Sequence, residues 1–369
     1  MKTIIRWIKK EIVLCIAILL AVVSSFVVHP DSSFSSYIDW RVLAILFCLM
    51  LVMEGFKSTG FFSSLGRRLI KRTRNTFELE CVLVFMCFFA SMIMTNDVAL
   101  ITFVPFTLLI FAMCNMESRA LMVVILQTVA ANLGSMLTPI GNPQNLYLFG
   151  KMGISVFGFI KIMLPYTLAS AAVLFMFLLF RRKEPVSISD TDAPDKRSIF
   201  PNIIYGMLFI ICLLIVFGVV SYIPVLVVVL AVFLIVNRRL ILKVDYSLLF
   251  TFVGFFVFIG NIRRIDAVHA WMESMISGRE LIFSIVSSQI VSNVPAALLI
   301  SGFSDNYRNI LIGVNIGGLG TLIASMASLI SYKLFCNSNP KKKGRYLGVF
   351  TLTNIAFLII LVILSFICR

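Results

Sequence analysis

The sequence predicts an all-α polytopic membrane protein, and three observations lead to that fold class. Of the 369 residues, 60 % are hydrophobic and only 13 % are charged, which is more apolar than a soluble core of this size requires. Apolar runs recur at about 20 residues, the length that a helix needs to cross the hydrocarbon core of a bilayer. The runs are continuous, as in VLVVVLAVFLIV, whereas the strands of an outer-membrane barrel alternate apolar and polar residues.

Full membrane spans are predicted, in chain order, at positions 11–28, 39–56, 163–180, 202–220, 223–237, 246–262 and 346–367. The first run follows a basic N-terminus, as the apolar core of a signal peptide does, but we interpret it as a retained first helix. A polar stretch at 181–200 divides the chain nearly in half and is predicted to be a solvated cytoplasmic linker. The chain is thus expected to have a first half (1–180) and a second half (201–369).

The net charge of +15 comes from 32 Lys and Arg residues that lie mainly at the ends of apolar runs. This placement is typical of topology signals and not of a nucleic-acid-binding module. If the N-terminus is cytoplasmic, about three quarters of these residues fall on the cytoplasmic side, as the positive-inside rule requires. We expect a multi-pass protein of the plasma membrane, in bacteria the inner membrane, with membrane lipid and no nucleic acid among its partners.

That orientation requires two re-entrant helical hairpins, at about 77–114 and about 280–303, each of which enters the membrane and returns on the same side. In the second hairpin, a turn at Ser292 and Asn293 leaves helical limbs of about 12 residues, or about 18 Å, which reach only the middle of the bilayer. In the first hairpin, a Thr-Asn-Asp motif at 95–97 interrupts an apolar run. Unpaired polar groups in hydrocarbon cost several kcal/mol each, so this turn is expected to line a site.

An internal repeat follows each hairpin. The segments ANLGSMLTPIGNPQNL (131–146) and VNIGGLGTLIASMASL (314–329) align without a gap. Identical residues occupy the pairs Asn132 and Asn315, Gly134 and Gly317, Thr138 and Thr321, Ile140 and Ile323, and Leu146 and Leu329. Small or polar residues occupy the pairs Gly141 and Ala324, Asn142 and Ser325, and Asn145 and Ser328, and in the hairpin turns Asn96 corresponds to Asn293. We interpret the halves as inverted repeats, each with a broken transmembrane helix, at about 119–150 and about 308–335.

The broken helices indicate what the site would bind. Half-helix N-termini suit an anion, while unwound carbonyls and Asn or Ser oxygens suit Na⁺. The predicted substrate-binding residues are Thr95, Asn96, Thr138, Asn142, Ser292, Asn293, Thr321 and Ser325. The predicted residues for the coupling cation are Asp97, Asn96, Asn132, Gly134, Asn293, Asn315 and Gly317. Close helix packing is the alternative explanation for the small residues among them, such as Ser325.

Asp97 is the sharpest single candidate in these lists. An ionisable group at membrane depth is by default functional, and Asp97 is expected to be either a Na⁺ ligand or a proton carrier. Val294 stands at the equivalent position of the second half. The cation chemistry is therefore expected to be asymmetric between the two halves.

Several other functions are disfavoured. The eight cysteines form no CxxC pair and the chain has only two histidines, so neither a zinc site, an Fe–S cluster nor a disulfide is expected. The chain has no GxxxxGK[ST] loop for ATP, and no cofactor is expected. An ion channel would need polar residues along whole helix faces. A membrane-embedded enzyme would need a nucleophile with a base or an acidic metal cluster, so no enzymatic activity is predicted.

At the two hairpin turns and the two broken helices, the chain resembles the ion transporter superfamily. The likeness is to its citrate-transporter-like group, which includes arsenite permeases, NhaD-type Na⁺/H⁺ antiporters and divalent-anion/Na⁺ symporters. Dicarboxylate symporters of that group carry Ser-Asn-Thr at both turns. Here the turns read Thr-Asn-Asp at 95–97 and Ser-Asn-Val at 292–294, which argues against di- and tricarboxylates and resembles the arsenite-permease branch.

The resemblance implies an elevator-type secondary active transporter, in which a transport domain slides against a scaffold that usually dimerises. The first helix and the spans at 202–237 would form the scaffold and the homodimer contact. Amphipathic arm helices are expected at 61–74 and around 263–266. The expected activity is transport of a small inorganic or organic anion coupled to Na⁺ or H⁺. An arsenite/antimonite permease and a Na⁺/H⁺ antiporter are the alternatives.

Overall fold

The computed structural model describes residues 11–31, 34–61, 73–186 and 199–368. The first ten residues, most of the predicted arm helix at 61–74 and most of the linker at 181–200 lie outside the described residues. Within the described residues the fold is helical, with a single isolated β-bridge between Asn75 and Pro185. Seven helices are long and apolar enough to cross a membrane. The predicted all-α polytopic fold class is confirmed.

The helices of the first half, in chain order, are α1 (Ile12–Val27), α2 (Phe34–Tyr37), α3 (Trp40–Thr59), α4 (Thr76–Ala90), α5 (Asn96–Met113), α6 (Glu117–Gly134), α7 (Pro143–Met152) and α8 (Val156–Leu179). The helices of the second half are α9 (Ile199–Val216), α10 (Tyr222–Asn237), α11 (Tyr246–Arg263), α12 (Asp266–Ile276), α13 (Glu280–Val291), α14 (Asn293–Ile300), α15 (Tyr307–Gly317), α16 (Met326–Ser338) and α17 (Lys343–Ile367). Short 3₁₀ turns follow α6, α10 and α16.

Five helices, α1, α3, α9, α10 and α11, pack together and will be called the scaffold bundle. In it α1 packs on α11, and α3 packs on α9 and α10. Asn261 of α11 donates hydrogen bonds to the hydroxyls of Ser24 (3.0 Å) and Ser25 (3.2 Å) of α1. The ring of Tyr205 stacks on Phe233 with centroids 5.3 Å apart. The first helix and the 202–237 region thus lie in one bundle, to which α3 and α11 also belong.

The remaining long helices form a second unit, which will be called the hairpin bundle. Hairpin 1 (α4 and α5) packs on α6, and hairpin 2 (α13 and α14) packs on α15. The broken helices are α6 with α7 and α15 with α16, and α8 and α17 pack against them. The two bundles meet where α3 contacts α7 and where α11 contacts α14.

Hairpin 1 enters and leaves the bundle at the same end of the molecule, where α4 begins and α5 ends. Glu80, in the first turns of α4, is fully buried and accepts a hydrogen bond of 2.8 Å from Nε of Arg119. Arg119 lies in the first turn of α6, close to the end of α5. Arg181, at the end of α8, also donates to Glu80. A buried carboxylate needs such partners because its desolvation otherwise costs several kcal/mol.

Hairpin 2 enters and leaves the bundle at the opposite end. Glu280, which begins α13, accepts hydrogen bonds from the Ser304 hydroxyl and the Gly278 N–H, both at 3.0 Å. Near this end of hairpin 2, the hydroxyl of Tyr147 in α7 lies 3.0 Å from the hydroxyl of Ser301. From here α8, with 24 residues and about 36 Å of length, leads back to Arg181 beside Glu80. The two hairpins therefore enter the bundle from opposite ends.

Several helix bounds differ from those predicted from the sequence, and the largest difference is at α8. The helix α8 begins at Val156, although the span was predicted from 163, because the Ser155 side chain accepts from Gly158 N–H and fixes an earlier start. Two segments that were predicted as a hairpin limb and a half-helix, Asn96–Met113 and Glu117–Leu137, are themselves long and apolar enough to span a membrane.

Candidate functional site

Four helices begin inside the hairpin bundle, at the two hairpin turns and the two helix breaks. These are α5, α7, α14 and α16, and their N-cap residues are Thr95, Asn142, Ser292 and Ser325. None of these four side chains hydrogen-bonds to the N–H groups of its own helix. Among the helices that begin at the ends of the bundles, α3, α4, α8, α11 and α15 are capped by Asp39, Asn75, Ser155, Asp245 and Asn306, whereas α6, α10, α13 and α17 have no side-chain cap either.

The helix breaks therefore keep donors free. Within the described residues, no acceptor reaches the N–H of Gln144 at the start of α7, or the N–H groups of Met326 and Ala327 at the start of α16. Helix N-termini carry a partial positive charge as well as these free donors. The starts of α7 and α16 can thus hold an anion or another hydrogen-bond acceptor.

The two hairpin turns are tied to the breaks by matching hydrogen bonds. Asn96 N–H donates to the carbonyl of Gly141 at 3.2 Å, and Asn293 N–H donates to the carbonyl of Ala324 at 3.0 Å. Gly141 and Ala324 are partners in the sequence repeat. In each turn the Asn side chain then accepts from the next N–H in the chain, at 2.9 Å and 3.0 Å. The alignment of the two halves thus corresponds to the same contacts in space.

The predicted threonines make a second matching pair. The hydroxyl of Thr138 donates to the carbonyl of Met92 at 2.5 Å, and that of Thr321 donates to the carbonyl of Gln289 at 3.1 Å. Thr138 is half-buried and Thr321 is exposed. Both residues fasten a hairpin to its helix break, so the structure gives these predicted substrate residues a positioning contact.

The centre of the site is an amide and hydroxyl cluster around Asn132. Its Oδ1 accepts hydrogen bonds of 2.9 Å from both Asn96 Nδ2 and the hydroxyl of Ser325. Its Nδ2 donates to Ser328 at 3.3 Å. Asn132 therefore joins the turn of hairpin 1 to the helix break of the second half.

Asn315 makes the reciprocal contact between the halves. Its Nδ2 donates to Oδ1 of Asn145 at 2.7 Å, and Asn145 is the repeat partner of Ser328. In the same region Asn142 Nδ2 donates to the hydroxyl of Ser135 at 2.6 Å. The predicted residues Asn96, Asn132, Asn142, Ser325 and Asn315 are thus brought together at the crossing of the broken helices.

Two buried side chains at this crossing have polar atoms without protein partners. Gln144 is fully buried, yet neither Oε1 nor Nε2 has a hydrogen-bond partner, and Oδ1 of Asn315 also has none. Buried polar groups without protein partners are rare, and such atoms are free to bind a polar ligand or water. The sequence analysis missed Gln144, although its position in the GNPQN motif beside Asn145 was a signal.

Hairpin 2 carries the strained residue of the site. Ser292 is fully buried and has φ of 77°, a region that L-residues other than glycine rarely adopt. Its hydroxyl donates to Oδ1 of Asn293 at 3.3 Å. Strain of this kind is held in place by the surrounding contacts and is frequent at functional sites.

Asp97 lies apart from the amide cluster. It lines a cavity of about 200 Å³ between the scaffold bundle and hairpin 1, together with Thr95 and Asn142. The scaffold contributes the charged side chains Glu54, Lys57, Lys243 and Asp245 to the same cavity. Lys57 pairs with Glu54 at 2.8 Å. The two equivalent positions differ in their surroundings, because Asp97 faces a charged cavity and Val294 is buried. The predicted asymmetry of the cation chemistry stays a prediction.

Gly134 and Gly317, which occupy equivalent positions in the repeat, are explained by close packing. A Cβ at position 134 would lie 2.0 Å from the carbonyl oxygen of Phe88, and one at position 317 would lie 2.9 Å from Cα of Ile285. Each glycine lets the first limb of its hairpin lie directly against the broken helix. Their predicted part in cation binding stays a prediction.

The electrostatic character of the cluster is neutral. The buried charged residues of the described chain are Glu80 and Glu280. Both lie where the hairpins enter the bundle, away from the hairpin turns. Among the described residues, no group of three or more His, Cys, Asp or Glu side chains is placed to hold a metal ion, and the eight cysteines are free. The site is therefore built from amides, hydroxyls and helix N-termini, with Asp97 at its edge.

Comparisons with known proteins give a consistent result. A family profile described as "Citrate transporter" matches residues 2–305. The chain is 36 % identical to "Uncharacterized transporter MJ0456" of Methanocaldococcus jannaschii over 337 residues, which cover 91 % of this chain and 92 % of the relative. It is 32 % identical to "Inner membrane protein YbiR" of Escherichia coli over 84 % of both chains. It is 34 % identical to "Silicon efflux transporter LSI3" of Oryza sativa over 42 % of this chain and 31 % of that one.

Proposed function

The chain belongs to the citrate transporter family, and we propose that it is a secondary active transporter that moves a small anion across the membrane with Na⁺ or H⁺. Family membership and the seven candidate spans make it a multi-pass membrane transporter of the citrate and arsenite permease type. The anion, the coupling ion and the sliding mechanism are the proposal.

The observation that carries the proposal is the pair of half-helix N-termini at the starts of α7 and α16, whose N-cap side chains leave their own helices uncapped. The free N–H groups of Gln144, Met326 and Ala327 offer donors to an anion without a cationic side chain. The unpartnered amide of Gln144 and the oxygen of Asn315 supply further polar contacts. We place the substrate between the starts of α7 and α16, within reach of the turn asparagines Asn96 and Asn293.

The second candidate is an arsenite/antimonite permease, with a neutral hydroxylated solute in place of an anion. The absence of Lys and Arg among the buried residues of the described chain favours it. A hydroxylated solute both donates and accepts hydrogen bonds. Nε2 of Gln144 can donate to it, and Oε1 of Gln144 and Oδ1 of Asn315 can accept from it. A Na⁺/H⁺ antiporter is a third possibility, in which Asp97 exchanges the two cations and no anion binds.

The coupling cation is proposed to act at Asp97. The Asp97 carboxylate makes no hydrogen bond or ion pair within the described residues, and it lies between the transported site and the scaffold charges Glu54 and Asp245. Because Glu54 is paired with Lys57, a bound cation or proton would chiefly remove the repulsion between Asp97 and Asp245. If the charge bias of the sequence gives the orientation, this cavity opens toward the cytoplasm, and the structure corresponds to an inward-facing state.

The proposed movement is a slide of the hairpin bundle along the scaffold bundle. A cleft of about 500 Å³ separates the two at hairpin 1, and its walls are apolar on both sides, with Met53, Phe56 and Phe209 from the scaffold facing Phe85 and Phe89. An interface without buried polar pairs can shift without breaking hydrogen bonds. The homodimer through the scaffold helices stays a prediction, and exposed apolar residues of α9 and α10 such as Ile210 and Leu234 are available for it or for lipid.

The test is ligand binding and uptake by the purified full-length chain. Thermal unfolding is measured with arsenite, phosphate, sulfate, succinate and citrate, each in NaCl and in choline chloride and at several pH values. The proposal expects an anion-specific rise in Tm that depends on Na⁺ or pH, and uptake of that anion into proteoliposomes. Asn96→Ala and Asn293→Ala should abolish both. Normal uptake by these variants, or currents at channel rates, would overturn it.

A further inference from the structure

The second helix break is filled by an amide side chain that comes from its hairpin. From α13, Gln289 Nε2 donates to the carbonyl oxygens of Gly317 at 2.7 Å and Leu319 at 2.9 Å. Gln289 Oε1 accepts from the N–H of Thr321 at 2.9 Å. The carbonyls at the end of a helix have no helical partners of their own, so the amide satisfies the oxygens that the break of α15 releases.

The neighbours fix which way the amide points. Turned over, its oxygen would face two carbonyl oxygens and its nitrogen would face the N–H of Thr321, and all three contacts would be repulsive. The backbone also makes room for it, because Gly320 has φ of 104° and a Cβ there would lie 2.4 Å from Gln289 Oε1. The break is therefore shaped around this side chain.

The first half offers a direct comparison. Met92 precedes Asn96 at the same spacing as Gln289 precedes Asn293, and a thioether cannot donate a hydrogen bond. The carbonyls of Gly134 and Met136 are the repeat partners of those of Gly317 and Leu319. In the described chain no side chain donates to either of them. The first break has a donor of its own, Asn145 Nδ2, but it reaches the carbonyls of Ser135 at 3.1 Å and Thr138 at 3.3 Å. The two breaks are thus alike in backbone but differ in which carbonyls an internal donor occupies.

Resting on the proposed function, we propose that the Gln289 amide stands in for a cation at the second helix break, so that a coupling cation binds only in the first half, at Asp97. Unwound carbonyls are the groups that bind the coupling ion in broken-helix transporters. Here two of them already receive N–H donors, and an ion would have to displace the amide. Asn315, whose Oδ1 has no partner, is then left to the transported solute.

The first arm of the test needs no change at Gln289. The purified full-length chain is unfolded thermally in NaCl and in equimolar choline chloride, as wild type and as Asp97→Asn. Because no second cation place remains, Asp97→Asn should have the same Tm in both salts. A saturable Na⁺-dependent rise in the Tm of Asp97→Asn would overturn the proposal.

The second arm opens the second break. Gln289→Glu combined with Asp97→Asn replaces the amide N–H donors with a carboxylate, which together with the Gly317 and Leu319 carbonyls should bind Na⁺. The double variant is expected to gain a rise in Tm in NaCl. Gln127→Glu combined with Asp97→Asn controls for placing a carboxylate inside the bundle, because Gln127 is fully buried, where Gln289 is half-buried, and like Gln289 donates to a carbonyl, that of Leu83.

The outcomes separate this inference from the proposed function. If the double variant has the same Tm in both salts, the proposal about Gln289 is wrong, whatever the wild type transports. If the wild type has no Na⁺ response but the Gln289→Glu double variant gains one, Na⁺ coupling in the proposed function fails and the assignment of Gln289 stands.

Discussion

Asn132 of the first broken helix accepts a hydrogen bond from Asn96 at 2.9 Å and donates one to Ser328 of the second half at 3.3 Å. This single side chain connects a hairpin turn, its own helix break and the opposite break. Buried amide networks of this kind hold a site in one geometry when every member is satisfied. The contact therefore couples the turn of hairpin 1 to the position of α16.

Asn132→Ala is expected to abolish transport and to lower stability. It would leave the amide of Asn96 and the hydroxyl of Ser325 without their shared acceptor, at a cost of about 1–3 kcal/mol for each buried group. Thermal unfolding and uptake in proteoliposomes measure the two effects. Asn354→Ala is the matched control, because Asn354 is also fully buried but bonds only to its own helix at Phe350. Equal uptake by the two variants would contradict the role of Asn132.

The glycines of the repeat give a steric prediction. Gly134→Ala should displace hairpin 1, because its Cβ would lie 2.0 Å from the Phe88 carbonyl, and overpacking of this kind costs about 1–3 kcal/mol. The expected results are a lower Tm and loss of uptake.

Gly206→Ala controls for the change in backbone entropy. It lies in α9 with nothing within 4 Å of the added Cβ, so it should stabilise slightly, as Gly→Ala does within helices. A Gly134→Ala variant as stable and active as Gly206→Ala would contradict the packing assignment.

The sequence predicted the hairpins, the breaks and the repeat because each leaves a local signal. Asn96, Asn132 and Asn315 are polar residues at fixed positions in apolar segments, and the positive-inside rule required both hairpins to return. The cavity that Asp97 faces could not be predicted in the same way. The exposure of this side chain to Glu54, Lys243 and Asp245 depends on how two bundles meet, which no local pattern records.

Gln144 was missed for a related physical reason. In the sequence it is one polar residue in a motif of several, and its significance appears only in the fold, where both polar atoms are buried without partners. The pairing of Gln289 with Gly317 and Leu319 was likewise invisible, since Met92 at the matching position hides the relationship in the alignment. Tertiary burial, and not residue type, distinguishes these positions.

The buried ion pairs of Glu80 give a stability prediction. Arg181→Ala should lower the free energy of unfolding, by less than the about 3–5 kcal/mol that a wholly uncompensated buried charge costs, because Arg119 still pairs with Glu80. Glu80→Gln in the same background should restore part of the loss, since it removes the charge that Arg181 neutralised. Thermal or denaturant unfolding of the three proteins measures the effect. A double variant less stable than Arg181→Ala would contradict the charge argument.

Asp97→Asn is expected to separate binding from coupling. Asp97 lines the charged cavity and not the amide cluster, so the variant should still bind and exchange the substrate but lose its concentration against a gradient. Uptake driven by a Na⁺ gradient and by a pH gradient is compared with exchange of labelled for unlabelled substrate across the same vesicles. If the coupling ion is H⁺, the wild-type uptake falls as pH rises through the titration of Asp97 and the variant has a flat profile. If it is Na⁺, the variant loses its Na⁺ dependence.

Asp305→Asn is the control, because Asp305 is exposed near the end of the bundle at which hairpin 2 enters, where it bonds Tyr307 at 2.7 Å. It should keep both the gradient-driven uptake and its ion dependence. The result that would count against Asp97 as the coupling group is gradient-driven accumulation by Asp97→Asn at the wild-type level. Loss of exchange together with uptake would instead place Asp97 in the substrate site, since a residue that only binds the cation has no contact to remove from the solute.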